Sequence, residues 1–259
     1  MTTVVLSIAG LDPAGGAGLL ADLKTVAACG AHGVGALTAT TAQNTVGVKS
    51  FHPLPPDVVV AQLAALREDL PIAAAKTGML ATAGVVEAVA DWLAANWRGP
   101  LVVDPVLVSS SGHLLLEPDA IAILKNKLLP LATVVTPNLP EARELTGLPV
   151  ETVADMERAA RALQAMGARY ALVKGGHLTG DATDVLFDGR DLRYFSGERI
   201  VIETHGTGCT LSAALATHLG QGQPVTEAVA RAKAYVREAM ARAVQLGKGK
   251  RLLGHLPLA

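Results

Sequence analysis

The chain has 259 residues, of which 50% are hydrophobic, 3% aromatic and 17% charged, and its formal net charge is −1. This length suits one large α/β domain or two small ones, and the near-neutral charge gives no electrostatic footprint for nucleic acid or an anionic membrane. No apolar run of about 18 residues lacks a charge, Pro or Gly, no secretion signal is recognisable, and two cysteines are too few for a disulfide framework or zinc cluster. We therefore expect a cytoplasmic enzyme that binds small molecules.

Short apolar runs alternate with longer amphipathic segments along the chain. The runs predict strands at Val4–Ala9, Gly33–Thr40, Ile72–Lys76, Leu101–Asp104, Thr133–Thr136 and Tyr170–Lys174. The amphipathic segments predict helices at Ala17–Cys29, Pro56–Asp69, Ala83–Asn96, Asp119–Leu128, Val153–Met166, Thr207–Leu219 and Val225–Leu246. Such alternation predicts a mostly parallel sheet with helices on both faces. No linker or composition break divides the sequence, so we predict a single domain over residues 1–259.

The pattern changes in the later part of the chain, where short runs follow one another without helices. These runs predict strands at Ala182–Phe187, Asp191–Phe195 and Arg199–Glu203. The dipeptides Asp188-Gly189 and Ser196-Gly197 between them are typical of hairpin turns.

Polar or glycine-rich clusters follow each of the first six predicted strands. In sequence letters they are AGLDPAGGAG (9–18), TTAQN (40–44), KTGM (76–79), DPV (104–106), TPN (136–138) with Glu141, and KGGH (174–177). Because the carboxyl ends of parallel strands meet at one edge of a sheet, these clusters predict a ligand cleft.

The glycine-rich loop Gly10–Gly18 matches two phosphate-binding motifs incompletely. A P-loop would need Lys after its last glycine, and a dinucleotide fingerprint would need G-x-G-x-x-G. The loop therefore predicts only a close approach of a small ligand to the backbone. Asp22 lies one turn into the next helix, where it either accepts hydrogen bonds from a ligand amine or opposes the helix dipole.

The segment His205–Thr210 precedes an apolar helical run and is the most informative stretch of the sequence. Gly206 and Gly208 permit close approach of a ligand, and the free N–H groups of a helix start predict an anion site. A thiol in this turn is expected to have a lowered pKa, which makes Cys209 a candidate base. The alternative is an ordinary helix start with a buried cysteine.

Three charged residues at strand ends suit phosphate chemistry. Asp104 and Glu141 are suitable ligands for Mg²⁺ held beside substrate phosphates, although both could be helix caps. Lys174 ends an apolar strand, where either a phosphate or a structural salt bridge would compensate its charge.

Taken together, the ordered motifs resemble the hydroxymethylpyrimidine/phosphomethylpyrimidine kinases of thiamine biosynthesis, within the ribokinase-like superfamily. The resemblance extends nearly end to end and rests on AGLDPAGGAG (9–18), ADLKT (21–25), TAQN (41–44), KTGML (76–80), DPV (104–106), TPNLPEA (136–142), KGGH (174–177) and HGTGCT (205–210). It departs from the family pattern at Leu11 and Ala14 and in residues 108–112, which lack a Lys sometimes present there.

The resemblance implies a three-layer α/β/α sandwich without a separate β-lid, and ATP-dependent phosphorylation of 4-amino-5-hydroxymethyl-2-methylpyrimidine and then of its monophosphate. The residues implied at the pyrimidine are Gly10, Asp22, Gln43, Met79, Val106 and Cys209. The implied Mg²⁺ ligands are Asp104 and Glu141, and the residues near the ATP phosphates are Asn138, Lys174 and Thr207. The implied catalytic set is Lys174, the anion hole of Gly206, Thr207 and Gly208, and Cys209 in the position of the Asp base of related sugar kinases.

Two other functions remain open at this point. A pyridoxal kinase of the same superfamily would also phosphorylate a hydroxymethyl group on a flat heteroaromatic ring, and Gln43 and Met79 favour the pyrimidine. A non-catalytic regulator that binds a vitamer or a nucleotide is the other possibility, against which the joint presence of Asp104, Lys174 and Cys209 argues. The resemblance also implies a homodimer, and we expect no fused thiamine-phosphate synthase domain.

Overall fold

The computed structural model describes residues 2–109, 112–176, 178 and 181–255. In chain order its strands are β1 Val4–Leu11, β2 His32–Gln43, β3 Val48–Pro53, β4 Ile72–Thr77, β5 Leu101–Val103, β6 Val134–Val135, β7 Tyr170–Val173, β8 Asp184–Phe187, β9 Leu192–Phe195, β10 Thr204–His205 and β11 Arg251–Leu252. Its α-helices are α1 Gly18–Ala28, α2 Pro56–Asp69, α3 Ala83–Asn96, α4 Ala120–Ile123, α5 Leu139–Thr146, α6 Val153–Ala165, α7 Thr207–Gly220 and α8 Val225–Ala241. Helix α4 continues as a π-helical turn, Leu124–Leu128, and a 3₁₀ turn, Leu129–Leu131.

Within the described residues the strands form a nine-stranded sheet in the order β3-β2-β1-β4-β5-β6-β7-β8-β9, and β10 pairs separately with β11. The strands from β2 to β7 in this order run parallel, whereas β3, β8 and β9 pair antiparallel with their neighbours. The chain leaves β1 for β2 on one side and later returns to β4 on the other. Such a switch point opens a crevice at the carboxyl ends of the strands.

Successive residues of the central strands point to opposite faces, and both faces are buried. Leu6, Ile8 and Val103 pack in the larger core under α2, α3 and α6, whereas Val5 and Val102 pack in the core under α1, α7 and α8. This arrangement is the predicted α/β/α sandwich with a mostly parallel sheet, and the residues that the structure describes include no separate lid.

Several predicted elements differ from the structure. Arg199–Glu203 is irregular rather than a strand, with Val201 89% exposed, so Ser196-Gly197 is not a hairpin turn. The hairpin at Asp188-Gly189 is confirmed by the antiparallel pairing of β8 with β9.

The predicted helix Val225–Leu246 ends at Ala241, and α5 and β3 were not predicted. Strand β3 lies at the sheet edge and carries Lys, Ser, His and Pro, so its hydrophobic alternation is weak. Among the described residues, none of the helices combines the length and the apolar character needed to cross a membrane.

Candidate active site

An apolar wall stands at the carboxyl ends of β1 and β4. A Cβ atom added to Gly10 would lie 2.9 Å from Sδ of Met79, so any larger residue there would displace the Met79 side chain. Buried Met79 and Leu115 pack together with the half-buried Val106 and Phe51. The wall therefore brings together three of the residues predicted at the pyrimidine, Gly10, Met79 and Val106.

Beside this wall, Gln43 joins a polar chain that leads into the glycine-rich loop. Its carboxamide nitrogen lies 2.8 Å from Nε2 of His205, and that Nε2 lies 3.2 Å from Oδ2 of Asp12. The Asp12 carboxylate also accepts hydrogen bonds from three backbone N–H groups, those of Ala14, Gly16 and Ala17. Burial by itself would raise the pKa of Asp12, but the hydrogen bonds from His205 and the backbone hold it below its ordinary value.

Asp22 is 0% exposed and lies beneath the site. Its Oδ2 accepts hydrogen bonds from the Ser7 hydroxyl at 2.6 Å and from Lys76 Nζ at 2.7 Å. Its Oδ1 is buried and has no hydrogen-bond partner among the residues that the structure describes. Burial tends to lower the pKa of Lys76, but the charge of Asp22 outweighs it and raises the pKa, so Lys76 carries its proton. The predicted contact of Asp22 with the pyrimidine amine stays a prediction.

Asp104 and Lys174 form the charged centre at the ends of β5 and β7. Lys174 Nζ lies 2.9 Å from Oδ1 of Asp104 and 3.9 Å from Oε2 of Glu141. Asp104 also accepts hydrogen bonds from the hydroxyls of Thr136 and Ser212 at 3.1 and 3.2 Å. Burial opposes ionisation of both groups, but their opposite charges outweigh it, so the pKa of Asp104 is lowered and that of Lys174 is raised.

Asn138 and Glu141 cap the start of α5. The Asn138 side chain accepts from the Glu141 backbone N–H at 2.9 Å, and the Glu141 carboxylate accepts from the Asn138 N–H at 2.8 Å. This capping box matches the alternative in which Glu141 is a helix-start residue. Burial raises the pKa of Glu141 to about 7, and the Asp104 charge adds to this although Lys174 opposes it.

These carboxylates fit Mg²⁺ in the way that kinases hold it. Mg²⁺ takes one or two protein carboxylates and completes its shell with water and phosphate oxygens. No group of three or more His, Cys, Asp or Glu residues within the described part of the chain could hold a metal by itself. Glu141 and Asp104 are nevertheless two buried carboxylates in one site. Burial and the Asp104 charge raise the pKa of Glu141, and a divalent cation bound there would favour its ionised form.

The start of α7 provides the predicted anion hole. Gly206 has φ +88°, and a Cβ there would lie 1.8 Å from the backbone oxygen of Gly16. The first N–H groups of the helix, from Thr207 onward, have no carbonyl partner within α7, because the chain before Gly206 is not helical. A Cβ on Gly208 would lie 3.2 Å from Lys174 Nζ, so the helix start faces the charged centre.

The expected thiolate at Cys209 is wrong. Burial raises the pKa of this thiol to about 11, because the charges of Asp22 and Asp104 offset the help from Lys76 and the N–H of Gly18. Burial raises the pKa of Cys29 to about 11 as well. The pKa values of the two thiols are therefore similar, although Cys209 lies at a helix start and Cys29 at a helix end.

Comparisons with known proteins identify the family of this chain. The sequence profile of the phosphomethylpyrimidine kinase family matches residues 12–254. This chain belongs to that family. The kinase is 49% identical to the hydroxymethylpyrimidine/phosphomethylpyrimidine kinase of Streptomyces coelicolor, over 95% of this chain and 91% of that one.

The kinase is also 48% identical to the thiamine biosynthesis bifunctional protein ThiED of Geobacter sulfurreducens, over 97% of this chain but 52% of that protein. Among solved structures, it is similar to an ADP complex of Bacillus subtilis pyridoxal kinase, with a TM-score of 0.92, 37% identity and 98% of both chains covered. It is similar too to phosphomethylpyrimidine kinase from Clostridium difficile, with a TM-score of 0.83, 40% identity, 92% of this chain covered and all of that one.

Several residues of the kinase site were not assigned from sequence. Lys76, Asp12 and His205 each stood inside a recognised motif, but their pairing depends on contacts between distant segments. Ser212 lies inside an apolar helical run, where a lone hydroxyl gives no signal. His177, expected to be a loop residue, and two of the residues of segment 108–112 lie outside the described part of the chain.

Proposed function

We propose that this kinase transfers the γ-phosphoryl group of ATP to the hydroxymethyl group of 4-amino-5-hydroxymethyl-2-methylpyrimidine, and then phosphorylates the monophosphate to the diphosphate. One observation carries the proposal: the start of α7 touches both halves of the site. His205, before the anion hole, contacts Gln43, and Gly208, within it, lies against Lys174 and Asp104. A ring held at Gln43 thus has its hydroxymethyl group beside the charged centre.

The pyrimidine side fits an aminopyrimidine ring. A carboxamide such as that of Gln43 offers one acceptor and one donor, which pair with an exocyclic amine and a ring nitrogen. Met79 and Val106 supply apolar surface for the ring faces, and Gly10 leaves room for the ring edge.

The transfer step is an in-line displacement. The hydroxyl oxygen attacks the γ-phosphorus, a new P–O bond forms, and the bond to the β-phosphate oxygen breaks as ADP leaves with that electron pair. Lys174 and the N–H groups of Gly206 to Cys209 stabilise charge on the transferred group. In the second reaction a phosphate oxygen of the monophosphate replaces the hydroxyl as nucleophile.

Cys209 contacts the reacting hydroxyl in this proposal but does not begin as a base. Its pKa of about 11 means a neutral thiol near pH 7. The loose transition state of phosphoryl transfer takes little charge from the attacking oxygen, so its proton can pass late, to an oxygen of the transferred phosphate. Cys209 therefore positions the hydroxyl.

Asp104 and Glu141 would hold Mg²⁺ beside the ATP phosphates, and we infer that Asn138, at the start of α5, and Thr207, at the start of α7, would contact those phosphates. Bound there, Mg²⁺ would neutralise negative charge on the phosphates. By resemblance to the family, we propose that the kinase acts in the cytoplasm as a homodimer.

Pyridoxal phosphorylation is the second candidate activity, because the TM-score to the pyridoxal kinase of Bacillus subtilis is 0.92. An ATP-consumption assay with the hydroxymethylpyrimidine, its monophosphate and pyridoxal in parallel separates the two. We expect the highest kcat/KM with the pyrimidine. Higher kcat/KM with pyridoxal would overturn the proposal.

Gln43→Ala tests the placement of the ring in the same assay. We expect a higher pyrimidine KM and an unchanged ATP KM, because only the ring loses a hydrogen-bond partner. Gln62→Ala is the matched control, since Gln62 bonds the backbone of Leu37 instead. An effect of Gln43→Ala confined to ATP would show that the ring is placed wrongly.

A further inference from the structure

His205 links the pyrimidine side of the site to the anion hole. Its Nε2 lies 2.8 Å from the carboxamide nitrogen of Gln43 and 3.2 Å from Oδ2 of Asp12. Its backbone precedes Gly206 and pairs with Leu252 in the β10–β11 ribbon. The side chain is thus held in place but has no function in the transfer step.

Asp12 determines which ring nitrogen of His205 carries the proton. The Asp12 carboxylate is ionised, as three backbone N–H groups already donate to it. A carboxylate oxygen 3.2 Å from Nε2 favours a proton on that nitrogen, because two facing lone pairs would repel each other. Nε2 of His205 is therefore a donor.

A donor at Nε2 determines how the Gln43 carboxamide is turned. Two nitrogens 2.8 Å apart cannot both donate, and the oxygen and nitrogen of a carboxamide exchange places by a simple flip. The arrangement that satisfies Asp12 and His205 together has the Gln43 oxygen on the His205 side. The Gln43 nitrogen then lies on the Thr41 side, where the Thr41 hydroxyl oxygen can accept from it.

This orientation selects one order of donor and acceptor on the ring, and that selection rests on the proposed function. The hydroxymethyl group must point to the anion hole, which begins one residue after His205. The ring substituent next to it then meets the Gln43 oxygen. In the aminopyrimidine that substituent is an amine, which donates, whereas in pyridoxal it is an aldehyde, which only accepts.

We propose that His205 is a positioning residue that fixes the Gln43 carboxamide, with its oxygen toward the anion hole, and thereby makes the kinase select an amine over an aldehyde beside the reacting hydroxymethyl group.

The test compares kcat/KM for the hydroxymethylpyrimidine and for pyridoxal in wild type, His205→Phe and His205→Gln. His205→Phe keeps a flat ring without a donor, and we expect the pyrimidine preference to fall about tenfold, the effect of one misplaced hydrogen bond. His205→Gln restores a donor and should recover part of the preference. The ATP KM should stay within about twofold throughout.

A double-mutant cycle with Gln43→Ala separates positioning from general damage. In the Gln43→Ala background, His205→Phe should leave the preference unchanged, because the group that it orients is gone. Full additivity of the two changes, or a wild-type preference in His205→Phe, would overturn the inference. If wild type does not phosphorylate the pyrimidine, the proposed function is overturned first and this inference with it.

Asp12→Asn provides a second route if His205→Phe does not fold. It replaces one of the two oxygens that accept from the backbone N–H groups of the loop, and it removes the negative charge that holds the proton on Nε2. We expect the same fall in pyrimidine preference. An unchanged preference in a folded Asp12→Asn variant would also overturn the inference.

Discussion

Glu141 shows how one buried carboxylate can serve both folding and catalysis. Its carboxylate accepts a hydrogen bond from the Asn138 N–H and so caps the start of α5. Its position near Lys174 and Asp104 also makes it a candidate metal ligand. Burial raises its pKa from 4.5 to about 7. Near neutral pH the carboxyl group is therefore only partly ionised until a cation approaches.

This raised pKa predicts a pH-dependent stability. A carboxyl group with a higher pKa in the folded state stabilises the fold below pH 4.5, and the contribution is lost as the pH rises through about 7. The shift corresponds to an upper limit of about 3 kcal/mol. We expect the Tm of the metal-free kinase to fall between pH 5 and 8, less in Glu141→Gln than in wild type.

Thermal unfolding at both pH values, with and without Mg²⁺, measures this effect. Mg²⁺ should raise the Tm of wild type at pH 8 but not that of Glu141→Gln. Glu144→Gln on the exposed side of the same helix is the matched control. Equal pH dependence in wild type and Glu141→Gln would contradict the assignment.

The neutral thiol of Cys209 also leads to a measurable prediction. A lost general base lowers kcat by roughly 10²- to 10⁴-fold. Because the Cys209 thiol has a pKa of about 11, we expect Cys209→Ala to lower kcat by less than about tenfold. Cys29→Ala is the control, since burial raises that pKa to about 11 too and Cys29 lies at the end of α1.

Steady-state kinetics from pH 6 to 9 check this prediction. A loss of 10²-fold or more in Cys209→Ala would restore the base assignment. Alkylation of both thiols should be slow near pH 7. Rapid alkylation of Cys209 would instead indicate a thiolate and would also support the base assignment.

At the scale of elements, the start of α7 depends on one close backbone contact. Gly206 has φ +88°, and the space beside its Cα is taken by the Gly16 carbonyl. This contact joins the glycine-rich loop to the anion hole. Gly30 has a similar φ of +79°, but no described heavy atom lies within 4 Å of where its Cβ would be.

The pair Gly206→Ala and Gly30→Ala separates backbone strain from collision. A left-handed alanine costs about 1–2 kcal/mol, so Gly30→Ala should lower the free energy of unfolding by about that much and leave kcat unchanged. Gly206→Ala should cost at least about twice as much and lower kcat about 10²-fold or more, because the loop or the helix start must move. Denaturant unfolding and kcat would check both, and similar effects of the two changes would contradict this argument.

The sequence allows prediction of those elements whose pattern is local. The helices Pro56–Asp69 and Ala83–Asn96 have the predicted bounds because their amphipathic repeats end at clear breaks. Arg199–Glu203 alternates like a strand but is irregular in the structure, and the strand pairing of this region is between Thr204–His205 and the distant Arg251–Leu252. Such long-range partners cannot be read from a local pattern.

At the scale of the whole molecule, the same limit applies to the site. The motifs correctly indicate which strand ends converge, because parallel topology determines this. They do not indicate that Asp22 is buried against Lys76, since that depends on the packing of α1 against β4 and β1. The position of the Asp22 carboxylate is therefore the part of the site that most needs an experiment.

The Asp22–Lys76 ion pair joins α1 to β4, and the Ser7 hydroxyl that donates to Asp22 adds β1. The pair is nearly inaccessible, with side chains 0% and 1% exposed. Breaking a buried pair leaves an uncompensated charge, which typically costs about 3–5 kcal/mol, whereas neutralising both partners costs less. We expect Lys76→Met to lower the free energy of unfolding by about this amount, and Asp22→Leu/Lys76→Met, which also removes the acceptor oxygens of Asp22, to recover more than half of the loss. The exposed pair Arg231–Glu227 is the control, and Arg231→Ala should cost less than about 1 kcal/mol.

The same double variant decides what Asp22 does for the ligand. If Asp22 only holds Lys76 in place, the refolded double variant should bind the pyrimidine with nearly the wild-type KM. If its Oδ1, which is buried without a described partner, accepts from the ring amine, the pyrimidine KM should rise about tenfold while the ATP KM stays constant. We expect the second result, because burial raises the pKa of Asp22 and leaves its Oδ1 without a donor, which is costly unless a ligand supplies one. A double variant with recovered stability and an unchanged pyrimidine KM would assign Asp22 to the fold alone.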